Sequence, residues 1–448
     1  MEKVLMIPAP VLSHINASFK IANLLKRHRY QVHYFVYHAV TPVIAQAQFG
    51  FTPANTPPIM EGYRKALAKH EKKRVGYWSF LRNGGLRPFF NERRKELLEV
   101  VEKTRPNLII ADSFAAADFA FLYPLIKRYG IRFVQLETLP CTLSLKGLPA
   151  FSSMTLPSQK GKIWFEYYMR KGVKKLSRLG GRVMYAGTDA YSLIKKELKK
   201  NKVPAQYRIE PNNYFSLTFR GLPTLLPLPL ELEFFTAPPT PHHHYLGFLD
   251  TGSSQMGAVA ESRLEKLLQT GKPVIYISFG TVFSGIWHQL IVTFLQKLDA
   301  VLANFKEVVA IFSLGSPQGA AKAVMMQFNH IHTFAYVPQS YLLRFCSVFI
   351  THGGINSIKE SIQAAVPMLV VPLEVDQPGN AAKIVHKGLG LAGHILTESV
   401  EGLAAKLTAL LYEGGYKEQL QQFREKISKD NHAEEKLMHL IAKEGLVQ

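Results

Sequence analysis

One rhythm limits the folds open to this chain more than any other feature. Short apolar runs rich in β-branched and aromatic residues alternate with longer helical patterns, and the alternation occurs twice. The first series is KVLMIPA, QVHYFVY, NLIIADS, RFVQLET and RVMYAGT, with ASFKIANLLKRH carrying helix spacing between its first two members. The second is PVIYISFG, EVVAIFSLG, HIHTFAYVP, VFITHGG and PMLVVPL. Strands alternating with helices imply parallel sheets covered on both faces. Between the two series stand Pro223, Pro227, Pro229, Pro238, Pro239 and Pro241. Proline breaks a helix interior, so this stretch reads as a passage between two halves. A chain of 448 residues is too long for one ordinary core. The expected class is α/β, with a first doubly wound domain over 1–235, a passage over 236–270 and a second domain over 271–425. Residues 426–448 are expected to form a helix that returns toward the first domain.

Charge separates the halves. Residues 1–210 hold 36 lysines and arginines against 14 carboxylates, a net of +22, while the remainder is nearly neutral. One reading is a set of solvated helix faces; the other is a surface for an anionic partner, such as membrane headgroups or an acidic substrate. Nothing like a helix-turn-helix, zinc finger or aromatic RNA-binding signature accompanies the charge, so no nucleic-acid partner is expected. GYWSFLRNGGLRPFF and GKIWFEYYMRKG interleave aromatics with cations, the makeup of an interfacial helix. No charge-free apolar run reaches about 18 residues. Cys141 and Cys346 supply no disulfide framework. These features lead us to expect a soluble chain of the cytoplasm, with peripheral contact at the anionic inner face of a membrane.

In doubly wound sheets, ligands lie beyond the carboxyl ends of the strands, so the strand ends are where chemistry is sought. In the second half, Gly280 and Thr281 end one strand, where freed amides receive anions. Tyr336 and Gln339 flank Pro338 at another, where an aromatic ring offers a stacking platform. The densest signal is THGGINSIKE: His352 ends a strand, Gly353 and Gly354 allow close approach, and Asn356 and Ser357 open a helix whose amino end favours phosphate. Glu360 lies near Ser357 on the same helix face. Asp376 and Gln377 follow the next strand and suit sugar hydroxyls. The plainer alternative is a helix cap with a capping-box glutamate. GLGLAG at 388–393 matches a dinucleotide fingerprint but follows a helical pattern, so Gly388 is read as ending that helix.

In the first half, His14 stands past the first strand and Asp112 ends another. Parallel strands bring both to one edge. The helix beginning near Asn16 and Ala17 would disfavour a charged imidazolium there. An aspartate on one ring nitrogen would fix the tautomer and stabilise the imidazolium once formed. A histidine in a turn more commonly serves as a capping residue, and the residues alone leave both readings open.

The run TH-GG-I-NS-IK-E, continued by VP, P, DQ and N, resembles the signature of nucleotide-sugar glycosyltransferases of the GT-B fold. It is closest to the UDP-sugar-dependent group that includes plant glucosyltransferases and bacterial macrolide glycosyltransferases. SFGT and YVPQ precede it in the family's order. The resemblance implies two Rossmann-like domains facing across a cleft. It implies that Tyr336, where the family usually has tryptophan, stacks on uracil and that Gln339 joins the base and ribose pocket. Thr281, His352, Asn356 and Ser357 would hold the diphosphate, with Gly280 and Gly354 also at the donor site, Glu360 the ribose, and Asp376 and Gln377 the sugar, with glucose a loose associate of that pair. His14 would be the general base and Asp112 its partner; SHINA departs from the family's G-H-x-x-P turn at Ser13 and Ala17.

The implied reaction is inverting transfer from a UDP-sugar to a hydroxyl of a lipophilic acceptor (terpenoid, carotenoid, polyketide, flavonoid or lipid), giving a β-glycoside. The UDP-sugar is a co-substrate and no cofactor is expected. No D-x-D pair occurs in the sequence, so a metal-independent enzyme is expected. The alternatives are a membrane-associated enzyme that forms glycolipids, a UDP-N-acetylglucosamine 2-epimerase, and a non-catalytic nucleotide-sugar or lipid binder.

Overall fold

The computed structural model describes residues 1–60, 82, 84–215, 217–249, 262–280, 287–315, 327–429 and 432–443. Thirteen strands are found among them, all in two parallel sheets. The first sheet contains β1 (Lys3–Ile7), β2 (Gln31–Tyr37), β3 (Gly50–Ala54), β4 (Leu108–Asp112), β5 (Arg132–Leu136), β6 (Thr224–Leu226) and β7 (His243–Tyr245), in the order 3-2-1-4-5-6-7. The second contains β8 (Val274–Ser278), β9 (Val309–Ser313), β10 (Ile331–Phe334), β11 (Cys346–Thr351), β12 (Met368–Val370) and β13 (Gly390–Ala392), in the order 10-9-8-11-12-13. The central strands β4, β8 and β9 are buried along their whole length. Helices cover both faces of a parallel sheet, which is why these strands are continuously apolar rather than alternating.

Strand order reverses between β1 and β4 in the first sheet and between β8 and β11 in the second. At such a point neighbouring strands send their helices to opposite faces, which leaves a crevice at the carboxyl ends. Each half therefore has one crevice fixed by topology.

The helices include α1 (Leu12–Arg27), α2 (Lys160–Met184), α3 (Ile355–Ala364), α4 (Gln377–His386) and α5 (Ala433–Lys443). Ala433, Leu437 and Ile441 recur along one face of α5 and join Val4, Met6, Ile15 and Leu108 in the first half's core. The two halves are also joined at depth. Lys383 of α4 pairs with Glu233 at 2.5 Å, both nearly inaccessible, and Glu233 accepts the Cys141 amide at 2.8 Å. Lys359 of α3 donates to the Pro227 carbonyl at 3.0 Å. A side chain on Gly379 would collide with the Phe151 carbonyl oxygen; only glycine lets α4 approach the first half this closely.

Three expectations differ from the structure. RVMYAGT is not a strand: Val183 and Met184 close α2, and their apolar character continues a helical stripe through Leu176 and Leu179, a period of 3.6 rather than 2. The proline-rich stretch is more than a passage, since it supplies β6 and β7 at the sheet's edge. Pro223 precedes β6 and Pro241 precedes β7, so neither removes a ladder amide from a central strand. Finally, α1 begins at Leu12, not near Asn16. Nothing after Pro10 breaks a helix, and the amides of His14 and Ile15 both bond the Val11 carbonyl at 3.0 Å.

Candidate active site

His14 and Asp112 lie at the crevice of the first sheet, where β1 pairs with β4 through Ile7 and Ala111. His14 Nδ1 is 2.8 Å from Asp112 Oδ2, and both residues are buried. Asp112 is held in turn, because its Oδ1 accepts the Phe114 amide at 2.9 Å. With Nδ1–H directed at Asp112, Nε2 is the nitrogen free to take a proton. Burial works against the imidazolium, yet the adjacent Asp112 and, farther off, Glu137 and Asp376 together outweigh it and the His14 pKa is raised above 6.5. This reverses the expectation that the helix end would set the charge, because a carboxylate in contact acts more strongly than a partial dipole.

Two further groups on this edge carried no sequence signal of their own. Thr138 Oγ1 is 2.7 Å from His14 Nδ1, and the Phe114 ring lies 4.9 Å from the imidazole. Beside them, Glu137 accepts the Ser113 hydroxyl at 3.1 Å and the Thr142 hydroxyl at 3.0 Å. Burial, with the charge of Asp112, pushes the Glu137 pKa up to about 8. Ser113 and Glu137 also line a cavity of about 490 Å³ walled by Gln135, Thr218, Thr224 and His243. Both Thr138 and Glu137 follow β5 directly, so the rule that chemistry collects at strand ends reaches them once β5 is known to neighbour β4.

At the second crevice, β8 pairs with β11 through Ser278 and Thr351. Gly280 and His352 follow. A side chain on Gly280 would come within 2.9 Å of the His352 ring, and one on Gly354 within 2.7 Å. The two glycines thus make room for the imidazole. His352 is only 8% exposed, and burial depresses its pKa to about 4, against an opposing bond to the Ser278 backbone. Gly354 is the N-cap of α3 and no side chain caps that end, so the capping-box alternative does not hold. Instead Gln339 Nε2 donates to Ser357 Oγ at 3.2 Å and to Glu360 Oε2 at 2.8 Å. Gln339, Ser357 and Glu360 thereby form one polar cluster next to the open amides of α3. Tyr336 is 52% exposed. Thr281 lies outside the described residues.

Asp376 and Gln377 are both buried at the start of α4. Asp376 Oδ2 accepts Asn380 Nδ2 at 2.7 Å, and Gln377 Oε1 accepts the amides of Leu373 and Glu374 at 2.9 and 3.0 Å. Burial raises the Asp376 pKa, opposed by Asn380. The two crevices face each other: the charges of His14 and Asp376 act on one another, and Asn356 Nδ2 lies 3.4 Å from the Ser13 carbonyl. Among the described residues, no group of three histidine, cysteine or acidic side chains is placed to hold a metal ion.

Residues 238–434 match the family model described as UDP-glucoronosyl and UDP-glucosyl transferase. The chain is 23% identical to UDP-glucuronosyltransferase 3A1 of Mus musculus over 72% of its own length and 59% of that relative's, so it spans less than two thirds of it. Among solved structures it is similar to the glycotransferase of kitacinnamycin, with a TM-score of 0.68, 18% identity and 98% of each chain covered. It is also similar to spinosyn rhamnosyltransferase SpnG complexed with thymidine diphosphate, with a TM-score of 0.62, 16% identity, and 98% of this chain and 100% of that one covered.

Proposed function

We propose that this chain, which belongs to the UDP-glycosyltransferase family and has the GT-B fold, moves a sugar from a UDP-sugar to a hydroxyl of a lipophilic acceptor with inversion. The observation that carries the reading is the buried His14–Asp112 pair, set across a cleft from the amino end of α3 and from Asp376.

In this reading the acceptor hydroxyl gives its proton to His14 Nε2. Its oxygen bonds to the anomeric carbon while the bond to the diphosphate breaks, and UDP departs with the electron pair. Asp112 stabilises the imidazolium that forms. One displacement turns an α-linked donor into a β-glycoside. The leaving diphosphate is assigned to the open amides and dipole of α3, with His352 neutral beside it. Tyr336 is assigned to the base, the Gln339–Ser357–Glu360 cluster to the ribose, and Asp376 with Gln377 to the sugar, glucose being the donor proposed. No metal takes part in this reading and the UDP-sugar is the only co-substrate; a loss of rate in EDTA that Mg²⁺ restores would overturn that part.

The test is a donor panel that includes UDP-glucose and dTDP-glucose, incubated with hydroxylated acceptors and followed by mass spectrometry, for the wild type and His14→Ala. Turnover unaffected by the substitution would sink the mechanism. The basic first half adds affinity for anionic surfaces to the proposal. No described helix is long and apolar enough to cross a membrane.

A further inference from the structure

A surface helix ordinarily buries its apolar stripe and shows its charges to water. Helix α2 does the reverse. Of its 25 residues, Ile163 alone is buried. The row that faces the protein is charged. Glu166 accepts the hydroxyls of Ser153 and Thr155 at 2.9 and 2.7 Å, and Arg170 donates to Ser152 Oγ at 3.1 Å. Lys174 donates to the Asn213 carbonyl, and Arg178 lies 4.7 Å over the Tyr191 ring. The row that faces outward is apolar: Trp164 is 62% exposed, Leu176 69% and Val183 72%, with Phe165, Met169 and Leu179 also exposed. An outward stripe of this length, about 37 Å for such a helix, is far more than the scattered apolar residues of an ordinary surface.

We infer that α2 lies in the headgroup plane of an anionic lipid bilayer, with its outward stripe in the acyl boundary, and that it brings the acceptor side of the cleft onto that surface. Charge selects this occupant. The helix carries eight cations and one acid, Glu166. Lys171, Lys175 and Arg182 are exposed along the flank of the stripe, where an in-plane helix places its cations. A second copy seated on the same face would bring like charges together.

The position of α2 also fits. An unbroken series of rings runs from it to the proposed base. Arg170 lies 5.8 Å over Tyr214, Tyr214 is 4.6 Å from Phe151, and Phe151 is 6.0 Å from Phe215. Phe215 is 4.6 Å from Phe114, which is 4.9 Å from His14. These contacts tie α2 to the acceptor side of the cleft, so a helix seated on a bilayer brings that side to an apolar acceptor dissolved there. This last consequence rests on the transferase reading; the bilayer contact does not.

The experiment is co-sedimentation with vesicles of phosphatidylcholine plus phosphatidylglycerol, and of phosphatidylcholine alone, with no donor or acceptor present. The wild type is expected to bind the mixed vesicles at low ionic strength, to release in salt, and to shift its tryptophan emission to the blue, a shift absent from Trp164→Phe. Phe165→Glu/Leu176→Glu/Val183→Glu is expected to lose about tenfold or more in affinity. Those side chains are exposed, so unfolding temperature and turnover of a water-soluble acceptor stay unchanged, and that turnover reports on the transferase reading separately. Three results would overturn the inference: wild type left in the supernatant, equal binding by the triple variant, or a wild-type dimer that the triple variant dissociates, which would assign the stripe to a second copy.

Discussion

His14 and His352 stand at corresponding crevices of the two sheets, each just beyond a paired parallel strand and each buried. Their protonation differs in opposite directions. Burial opposes charge on both, but His14 has Asp112 at 2.8 Å and its pKa rises, whereas His352 has glycines and the Ser278 backbone around it and its pKa falls to about 4. One fold position thus holds an imidazole whose protonation is favoured and the other one whose protonation is disfavoured. The carboxylate, not the depth of burial, decides which.

The largest expected effect comes from deleting the proton acceptor. His14→Ala lowers kcat/KM by about 10³-fold in a steady-state assay, within the range of a general base. Asp112→Asn comes next, with a loss of about 10²-fold. It also moves the pH profile: the wild-type rate rises as pH climbs through a His14 pKa above 6.5, and without Asp112 that rise shifts toward acid. An unshifted limb would show that Asp112 does not set the histidine's basicity.

Stability separates the two histidines as well. The folded pKa of His352 is depressed to about 4 from 6.5, so the unfolded chain takes the proton first. Stability is therefore lost as pH falls from 6.5 toward 4, by up to about 3 kcal/mol. His14 contributes with the opposite sign: the raised value favours the folded state fully below 6.5, and this contribution is lost as pH rises through the folded pKa. Thermal unfolding across this range, for wild type and His352→Asn, is expected to show a shallower acid loss in the variant. Equal slopes would mean that His352 is not held neutral. The smallest effect is kinetic: His352→Asn raises the donor KM about tenfold and leaves the pH limb of kcat/KM where it was.

Much of this arrangement was legible in the residues. The strands ending at Ile7, Ser278 and Thr351 were visible because buried parallel strands are short, continuous and apolar. The positions of His14 and His352 past such ends, and of Asp112 at the end of β4, carried most of the candidate site. The direct neighbours of His14 were not visible. Thr138 reaches Nδ1 across 124 residues of sequence, a contact that exists only because β5 lies beside β4. The hydrogen bonds from Gln339 to Ser357 and Glu360 were equally hidden, since Gln339 was read at a strand end and the other two on a separate helix.

The chain order of apolar runs, glycines and prolines was enough to dictate two doubly wound halves and a glycine-rich strand-to-helix turn at THGGINS. Those features follow from local sterics and periodicity, which neighbours in sequence supply by themselves. Protonation and orientation did not follow. The sign of the His14 shift needed Asp112 in contact, the neutrality of His352 needed burial around it, and the outward apolar stripe of α2 needed the rest of the molecule to show which face was left uncovered. Amphipathic spacing says that a helix has two faces; only packing against distant residues says which of them meets water.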